Sequence, residues 1–310
     1  MTAAKAPRSD GVKTVRSSRT FHVGDATLPA ATLSPGLYVV ATPIGNLADV
    51  TLRALAILAG ADAILAEDTR VSRALLARYG IERPLSRYHE HNAAEARPRA
   101  LKRIAEGQAL ALISDAGTPL ISDPGYKLVA EAIELGFAVA AAPGPSAALA
   151  ALCVAGLPTD RFYFEGFLPP RQAARRERIN ALAAAPGTLI FYEAPGRLAE
   201  TLADLALELG PRPAAVAREL TKLHEEVRRG ALDKLAAEYS AGETPRGEIV
   251  IVVAPAEARP LISEATLDRE IAEQLTKLSV KDAAAAIAAK HGLPRRQVYA
   301  RALALAGAQR

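Results

Sequence analysis

LYVVATPIGNLADVTLRALAILAGADAILAE, residues 37–67, decides the fold: an apolar run, a short loop carrying Pro43 and Gly45, an amphipathic stretch, and a second apolar run. Short continuous apolar runs read as strands buried on both faces, and a helix between two of them makes their pairing parallel. The alternation continues with ALALIS (109–114) and FAVAAA (137–142), separated by the helical stretch DPGYKLVAEAIELG (123–136). These segments predict an α/β domain built on a mostly parallel sheet with helices on both faces.

After the proline-rich corner APGPSAALAALCVAGLPTDR (142–161) a second series begins. FYFEGFL, TLIFYE, AAVARE, HEEVRRG and GEIVIVVAP read as strands, and ARRERINALAAA and RLAETLADLALELG as helices. Some connections are too short for a crossover helix, so antiparallel pairings are expected in this second α/β domain. A length of 310 residues fits about two domains. The expected organisation is a disordered basic arm over 1–36, α/β domains over 37–150 and 151–260 with a hinge near 145–160, and a helical basic tail over 261–310.

In that tail Ser279 and Asp282 bracket a helix start, Gly292 ends the helix, and Pro294 opens the next one. Two short helices with a tight turn resemble a helix-turn-helix hairpin, with Arg295 and Arg296 placed to touch phosphates; a helical pair packed on the body or on a partner subunit has the same spacing.

Net charge is +4, unevenly spread. Residues 1–36 hold five basic against two acidic side chains and residues 264–310 eight against five, which leaves −2 for the middle. Basic ends on a near-neutral body suit docking on a polyanion, and equally suit ordinary solvated charge. The single cysteine, Cys153, excludes an internal disulfide framework and fits a reducing cytoplasm. The first twenty residues are basic without an apolar centre, so no secretory signal is expected, and Pro143, Gly144 and Pro145 interrupt the one uncharged run long enough to imitate a membrane span. His89 and His91 share a strand face, which permits two metal ligands or turn hydrogen bonds; without a third ligand pattern no metal site is assigned.

In open α/β sheets ligands settle beyond the carboxyl ends of strands. The segments there are TPIGNLAD (42–49), EDTR (67–70), SDAGTP (114–119), PGPSA (143–147), YEAPGR (192–197) and RELTK (218–222), together with RGE (246–248) before the last strand. No two glycines stand two apart, the one glycine pair with P-loop spacing (Gly242, Gly247) precedes Glu248 instead of Lys, and no G-x-S-x-G occurs; the G-x-G-x-x-G fingerprint, the P-loop motif and the nucleophile elbow are absent, which argues against a nicotinamide dehydrogenase or a P-loop enzyme. Small, hydroxyl-bearing loops remain, suited to a purine and an amino-acid tail.

The phrase ISDAGTPLISDPG (113–125) doubles itself. Its second copy reads as structural, with Asp123 capping a helix and Pro124 in the first turn; its first copy, with Gly117, reads as ligand contact. Only one of Glu67 and Asp68 can cap the helix from Thr69, so the other carboxylate is spare.

With these motifs in order, the chain from about residue 36 onward resembles the ribosomal RNA small subunit methyltransferase I family of tetrapyrrole-methylase-like enzymes. The segments that carry the resemblance are TPIGNLADVTLRAL, AEDTR, YHEHN, SDAGTPLISDPG, PGPSA, GLPTDRFYFEGFLP, FYEAPGRL, ARELTKLHEE and GEIVIVV. It implies two α/β domains with S-adenosylmethionine in a cleft between them, homodimerisation, and methylation of a cytidine 2′-hydroxyl in small-subunit ribosomal RNA. Gly196 departs from it, standing where the family carries His. Expected contacts to the cofactor are Pro43, Ser114, Asp115, Ala116, Gly117, Thr118, Pro119, Ser146, Ala147, Tyr192, Leu220, Gly247 and Glu248. Glu67, Asp68 and Glu193 are candidates to accept the hydroxyl proton, and Lys222 to bind phosphate or the alkoxide. The alternatives are a methyltransferase acting on a corrin or porphyrin and a non-catalytic RNA-binding assembly factor.

Overall fold

A computed structural model describes residues 19–256, 263–291 and 293–308, in two compact units divided between Pro255 and Ala256. The basic residues of 1–18, the helix-ending role of Gly292 and the end of the second domain at Pro260 lie outside the described residues.

The first unit opens with a β-hairpin, β1 (Thr20–Val23) and β2 (Ala26–Pro29), antiparallel about Gly24 and Asp25. This corrects the expectation of disorder up to residue 36. Phe21 is buried against the cluster around Leu55 and Leu58, and the Arg19 guanidinium donates to the Gly60 and Ala61 carbonyls, which end the next helix, at 2.7 and 3.1 Å. A single apolar anchor and a cap are invisible to composition.

Next come β3 (Gly36–Val40), α1 (Leu52–Gly60), β4 (Ala63–Ala66), α2 (Thr69–Arg78), β5 (Leu85–Arg87), α3 (Ala93–Ala105), β6 (Ala109–Ile113), α4 (Tyr126–Glu134) and β7 (Val139–Ala142). The strands form a five-stranded, wholly parallel sheet in the order β5-β4-β6-β3-β7. One apolar cluster joins α1 and α2 to one face of this sheet, and another joins α3 and α4 to strand residues such as Leu37, Leu65 and Leu110. Burial of each such Leu or Ile is worth about 1.5–3 kcal/mol, and it is what pins a run like ALALI, buried throughout, in the middle.

The chain leaves this sheet at Ala142 and enters α5 (Ala147–Ala155), which packs on a second sheet within the same unit. Then follow β8 (Phe162–Phe167), α6 (Gln172–Leu182), β9 (Thr188–Glu193), α7 (Leu198–Leu209), β10 (Pro213–Arg218), β11 (Glu226–Ala231), α8 (Leu232–Ala241) and β12 (Ile249–Val253). The order is β11-β10-β12-β9-β8; only β8 and β9 run parallel, because a helix separates them, while β10 and β11 are joined by a loop too short to cross over. Both sheets lie in one compact unit, so the boundary expected at 150 separates two sheets rather than two units. Under α6 and α7 the guanidinium of Arg175, 1% exposed, donates to Asp204 at 2.6 Å.

The second unit holds α9 (Glu264–Leu275), α10 (Val280–His291) and α11 (Arg295–Ala308) around Ile271, Ile287, Val298 and Ala302. Ser279 Oγ accepts from the Asp282 amide at 3.2 Å and donates to its carboxylate at 2.7 Å, a side-chain cap at the start of α10. Arg301 is held by Asp268 and Glu264, while Arg295 and Arg296 are exposed at the start of α11.

Candidate active site

Within the first unit, the loops beyond β3, β4, β6 and β7 face β9 and the start of β12 across a cavity of about 460 Å³. Asp115, Ala116, Gly117, Thr118, Ser146 and Ala147 line it from the first sheet, with Tyr192, Gly247 and Glu248 from the second; Glu67 and Glu193 are on its wall. Pro43, Ser114, Pro119 and Leu220 are buried and do not line it, and neither do Asp68 and Lys222.

Two loops carry backbone strain, and the first of them lines the cavity. Among the described residues only Leu120, Ser122, Glu219 and Thr221 combine a side chain with positive φ, and they fall in the loop after β6 and the loop after β10. Gly117 has φ +79° and forms a two-bond bridge with Thr42, with N···O distances of 2.8 and 3.0 Å. Its amide and carbonyl are therefore spent on protein. The glycine lines the cavity and is needed for its φ and for clearance, since a Cβ would stand 3.3 Å from Ile44 Cγ2. Thr118 Oγ1 donates to the Pro145 carbonyl at 3.0 Å, tying the loop after β6 to the loop after β7.

The second copy of the doubled phrase is corrected. Asp123 caps nothing, because α4 starts at Tyr126 after Gly125 at φ +132°. Ile121, Ser122 and Asp123 instead line the cavity. Burial pushes the half-buried Asp123 carboxyl up to about 6, helped by the charges of Glu67 and Asp115. Glu67 is raised by burial and then by Asp115, with His89 pulling the other way. The same enclosure thus resists the ionisation of two carboxyls on the cavity wall.

Asp68 is the helix cap: its Oδ1 accepts from the Arg70 amide at 2.8 Å, and the Arg70 side chain holds its carboxyl down at about 2. Glu67 is thus the spare carboxylate of the two. Glu193 is buried and fully engaged, accepting from Thr201 Oγ1 at 2.6 Å and from the Ala194 amide at 2.8 Å, which fixes β9 to α7. Lys222 Nζ bonds Glu219 at 2.7 Å and Glu248 at 3.3 Å, and its stem lies where a Cβ on Gly45 would be, 2.4 Å from Lys222 Cγ. Desolvation alone would lower the Lys222 pKa, but those two carboxylates outweigh it and raise it. Glu193 and Lys222 thus serve as braces in this structure, and the sequence reading missed Asp123.

On the second-sheet side Tyr192 makes edge contacts with Phe164 and Phe167, ring centres 4.9 and 5.7 Å apart, and Phe167 is 57% exposed at the rim. Gly196 is exposed, with nothing within 4 Å of a built Cβ, so the site has room for the larger side chain absent here. Among the described residues no cluster of three or more His, Cys, Asp or Glu could hold a metal; His89 and His91 pack edge to face at 6.0 Å.

Residues 36–236 match the family described as Tetrapyrrole (Corrin/Porphyrin) Methylases, and residues 262–306 match the RsmI C-terminal HTH domain. The chain is 53% identical to Ribosomal RNA small subunit methyltransferase I of Mesorhizobium japonicum, over 91% of this chain and 96% of that one. To the protein of the same name from Pseudomonas aeruginosa it is 47% identical, over 86% and 96%. Among solved structures, diphthine synthase superposes with a TM-score of 0.56 at 15% identity, over 70% of this chain and 89% of that one. The methyltransferase CobJ superposes with a TM-score of 0.54 at 22% identity, over 74% and 97%. These two structures establish the fold alone.

Proposed function

The chain belongs to the ribosomal RNA small subunit methyltransferase I family, within the tetrapyrrole methylases, and from that premise we propose that it methylates the 2′-hydroxyl of a cytidine ribose in small-subunit ribosomal RNA. The donor is S-adenosylmethionine, which when bound supplies an electrophilic methyl on a cationic sulfur. The observation that carries the reading is the cavity between the two sheets, whose wall holds Glu67, Asp115 and Asp123 opposite Tyr192. Three carboxyl groups suit a donor bearing a sulfonium and an amino group, and the aromatic side suits a purine.

Asp115 positions: its Oδ1 accepts from the Asp68 amide at 2.9 Å, so it binds the loop after β6 to the start of α2 and fixes the wall that carries Glu67. The coupled Glu67 and Asp123 carboxyls accept the one proton of the ribose hydroxyl between them, one of the two ending protonated, a task that general-base catalysis rewards by about 10² to 10⁴-fold. Holding hydroxyl and methyl in line is the larger contribution. Arg295 and Arg296 on α11 contact phosphates of the RNA.

The protein acts in the cytoplasm, and no helix among the described residues is long and apolar enough to cross a membrane. It works as a homodimer, a reading supported by the unpaired edge strand β8, whose Phe162 and Tyr163 are 43% and 42% exposed. The test is tritium transfer from labelled donor to small ribosomal subunits and, in parallel, to precorrins. Glu67→Gln is expected to cut transfer to RNA while donor affinity by calorimetry holds. Wild-type transfer to precorrin alone, or equal turnover by the variant, refutes the assignment or the role of Glu67 respectively.

A further inference from the structure

Strand β5 is only three residues long and forms an open edge of the parallel sheet. The chain around it is net positive. Residues 67–106 hold nine basic side chains against six acidic, +3 in a stretch of the chain whose wider surroundings, residues 37–263, sum to −2. Three hollows follow one another along this edge. One of about 530 Å³ is lined by Arg73, Arg83 and Leu85, and one of about 380 Å³ by Ser86, Arg87, Arg99 and Arg103. A third, of about 200 Å³, is lined by Glu67, Asp68, Arg70, Arg87 and His89.

Arg87 belongs to the second and third hollows, and Glu67 to the third hollow and to the donor cavity. The second and third hollows and the donor cavity are therefore linked by shared lining residues, while the first lies next to them in sequence, at Leu85. Among the described residues Arg73, Arg87 and Arg103 have no carboxylate partner, and Arg99 reaches Glu95 only at 3.8 Å with both side chains about four-fifths exposed. Such charges are free to exchange counterions for phosphates.

We infer that the arginine-lined edge of β5 is the track on which the substrate RNA strand lies, with Arg87 and His89 holding the phosphate that precedes entry of the target ribose past Glu67. The inference rests on the RNA reading of the function and adds the surface that delivers the strand. Guanidinium groups spaced along a groove match a phosphodiester chain, and a three-residue strand with flanking hollows leaves room for unpaired nucleotides. Edge arginines also discourage strand-to-strand association, but that role requires no continuity with the donor cavity.

The test uses the full chain with a small-subunit ribosomal RNA transcript as probe, in filter binding across a salt series without donor. In Arg87→Gln/Arg99→Gln/Arg103→Gln the slope of log affinity against log salt is expected to fall by about 2, at ~0.7 for each contact to a single strand. The corresponding triple Lys variant restores the slope, because phosphate reads charge, and donor affinity by calorimetry stays at the wild-type value. Arg87→Gln alone gives a fall of about 0.7 and serves if the triple variant does not fold. A slope unchanged in both overturns the track. Tritium transfer by the wild-type chain reads the function separately: absent transfer with arginine-dependent binding refutes the activity and leaves the track standing.

Discussion

Asp123→Asn is expected to make the protein more stable and less active, and both effects follow from one enclosed carboxyl. Its value of about 6 against an ordinary 3.8 is a rise of about 2 units, which at 1.36 kcal/mol per unit is about 3 kcal/mol. The group is only half-buried, so solvent screening leaves roughly half of that, ~1.5 kcal/mol. Because the folded-state value is raised, the folded chain holds the proton more tightly than the unfolded one. The cost is absent well below pH 3.8, grows between about 4 and 6, and is fully present above 6. The neutral amide escapes it. Melting of the variant at pH 7.5 should therefore lie about 3–6 °C above wild type, at 2–4 °C per kcal/mol for a unit of this size, and the gain should shrink to a few tenths of a kcal/mol at pH 4. If Asp123 accepts the hydroxyl proton, transfer at pH 7.5 falls by about 10² to 10⁴-fold. Wild-type transfer should also rise to a plateau above pH 6 as this carboxyl ionises. Scanning calorimetry at the two pH values, with transfer assays on the same preparations, decides the matter. A gain of equal size at both pH values, or none at pH 7.5, refutes the enclosure argument.

Gly117→Ala forces a side chain into φ +79° and toward Ile44, at a cost of about 1–2 kcal/mol, and loosens the bridge to Thr42. Donor affinity measured by calorimetry should drop with the melting temperature, and an unchanged melt would show that the loop does not need the glycine. Arg175→Ala strands the Asp204 carboxylate in the core and should cost about 3–5 kcal/mol, whereas Arg175→Met with Asp204→Leu recovers most of it. Equal destabilisation by the single and the double variant would refute the ion-pair account.

The central strands were legible because they are buried on both faces, and the residues of ALALI or IVIVV have no other place to go. β5, with the sequence LSR, has no such signature; it is a strand because β4 offers it a partner, which is a tertiary fact. The site was half legible. Arithmetic on the cap of α2 already left one of Glu67 and Asp68 spare, and the structure assigns the cap to Asp68. Asp123 was misread because Ser-Asp-Pro ahead of a helix has the look of a cap, and nothing local announces that Gly125 begins the helix at φ +132° instead.

That error has a general cause. The backbone of two loops is set against local preference: Leu120 and Ser122 after β6, Glu219 and Thr221 after β10, each at positive φ and each costing about 1–3 kcal/mol that the surrounding packing must offset. The loops are held by partners distant in sequence. The Asn46 amide donates to Thr221 Oγ1 at 3.2 Å, and the Lys222 stem covers Gly45, so the loop after β3 and the loop after β10 brace each other. A loop whose shape depends on the opposite sheet cannot be read from its own residues. Of the strained positions Ser122 lines the cavity and Glu219 packs against Gly247, which lines it too, and neither role is visible before the two sheets are placed together.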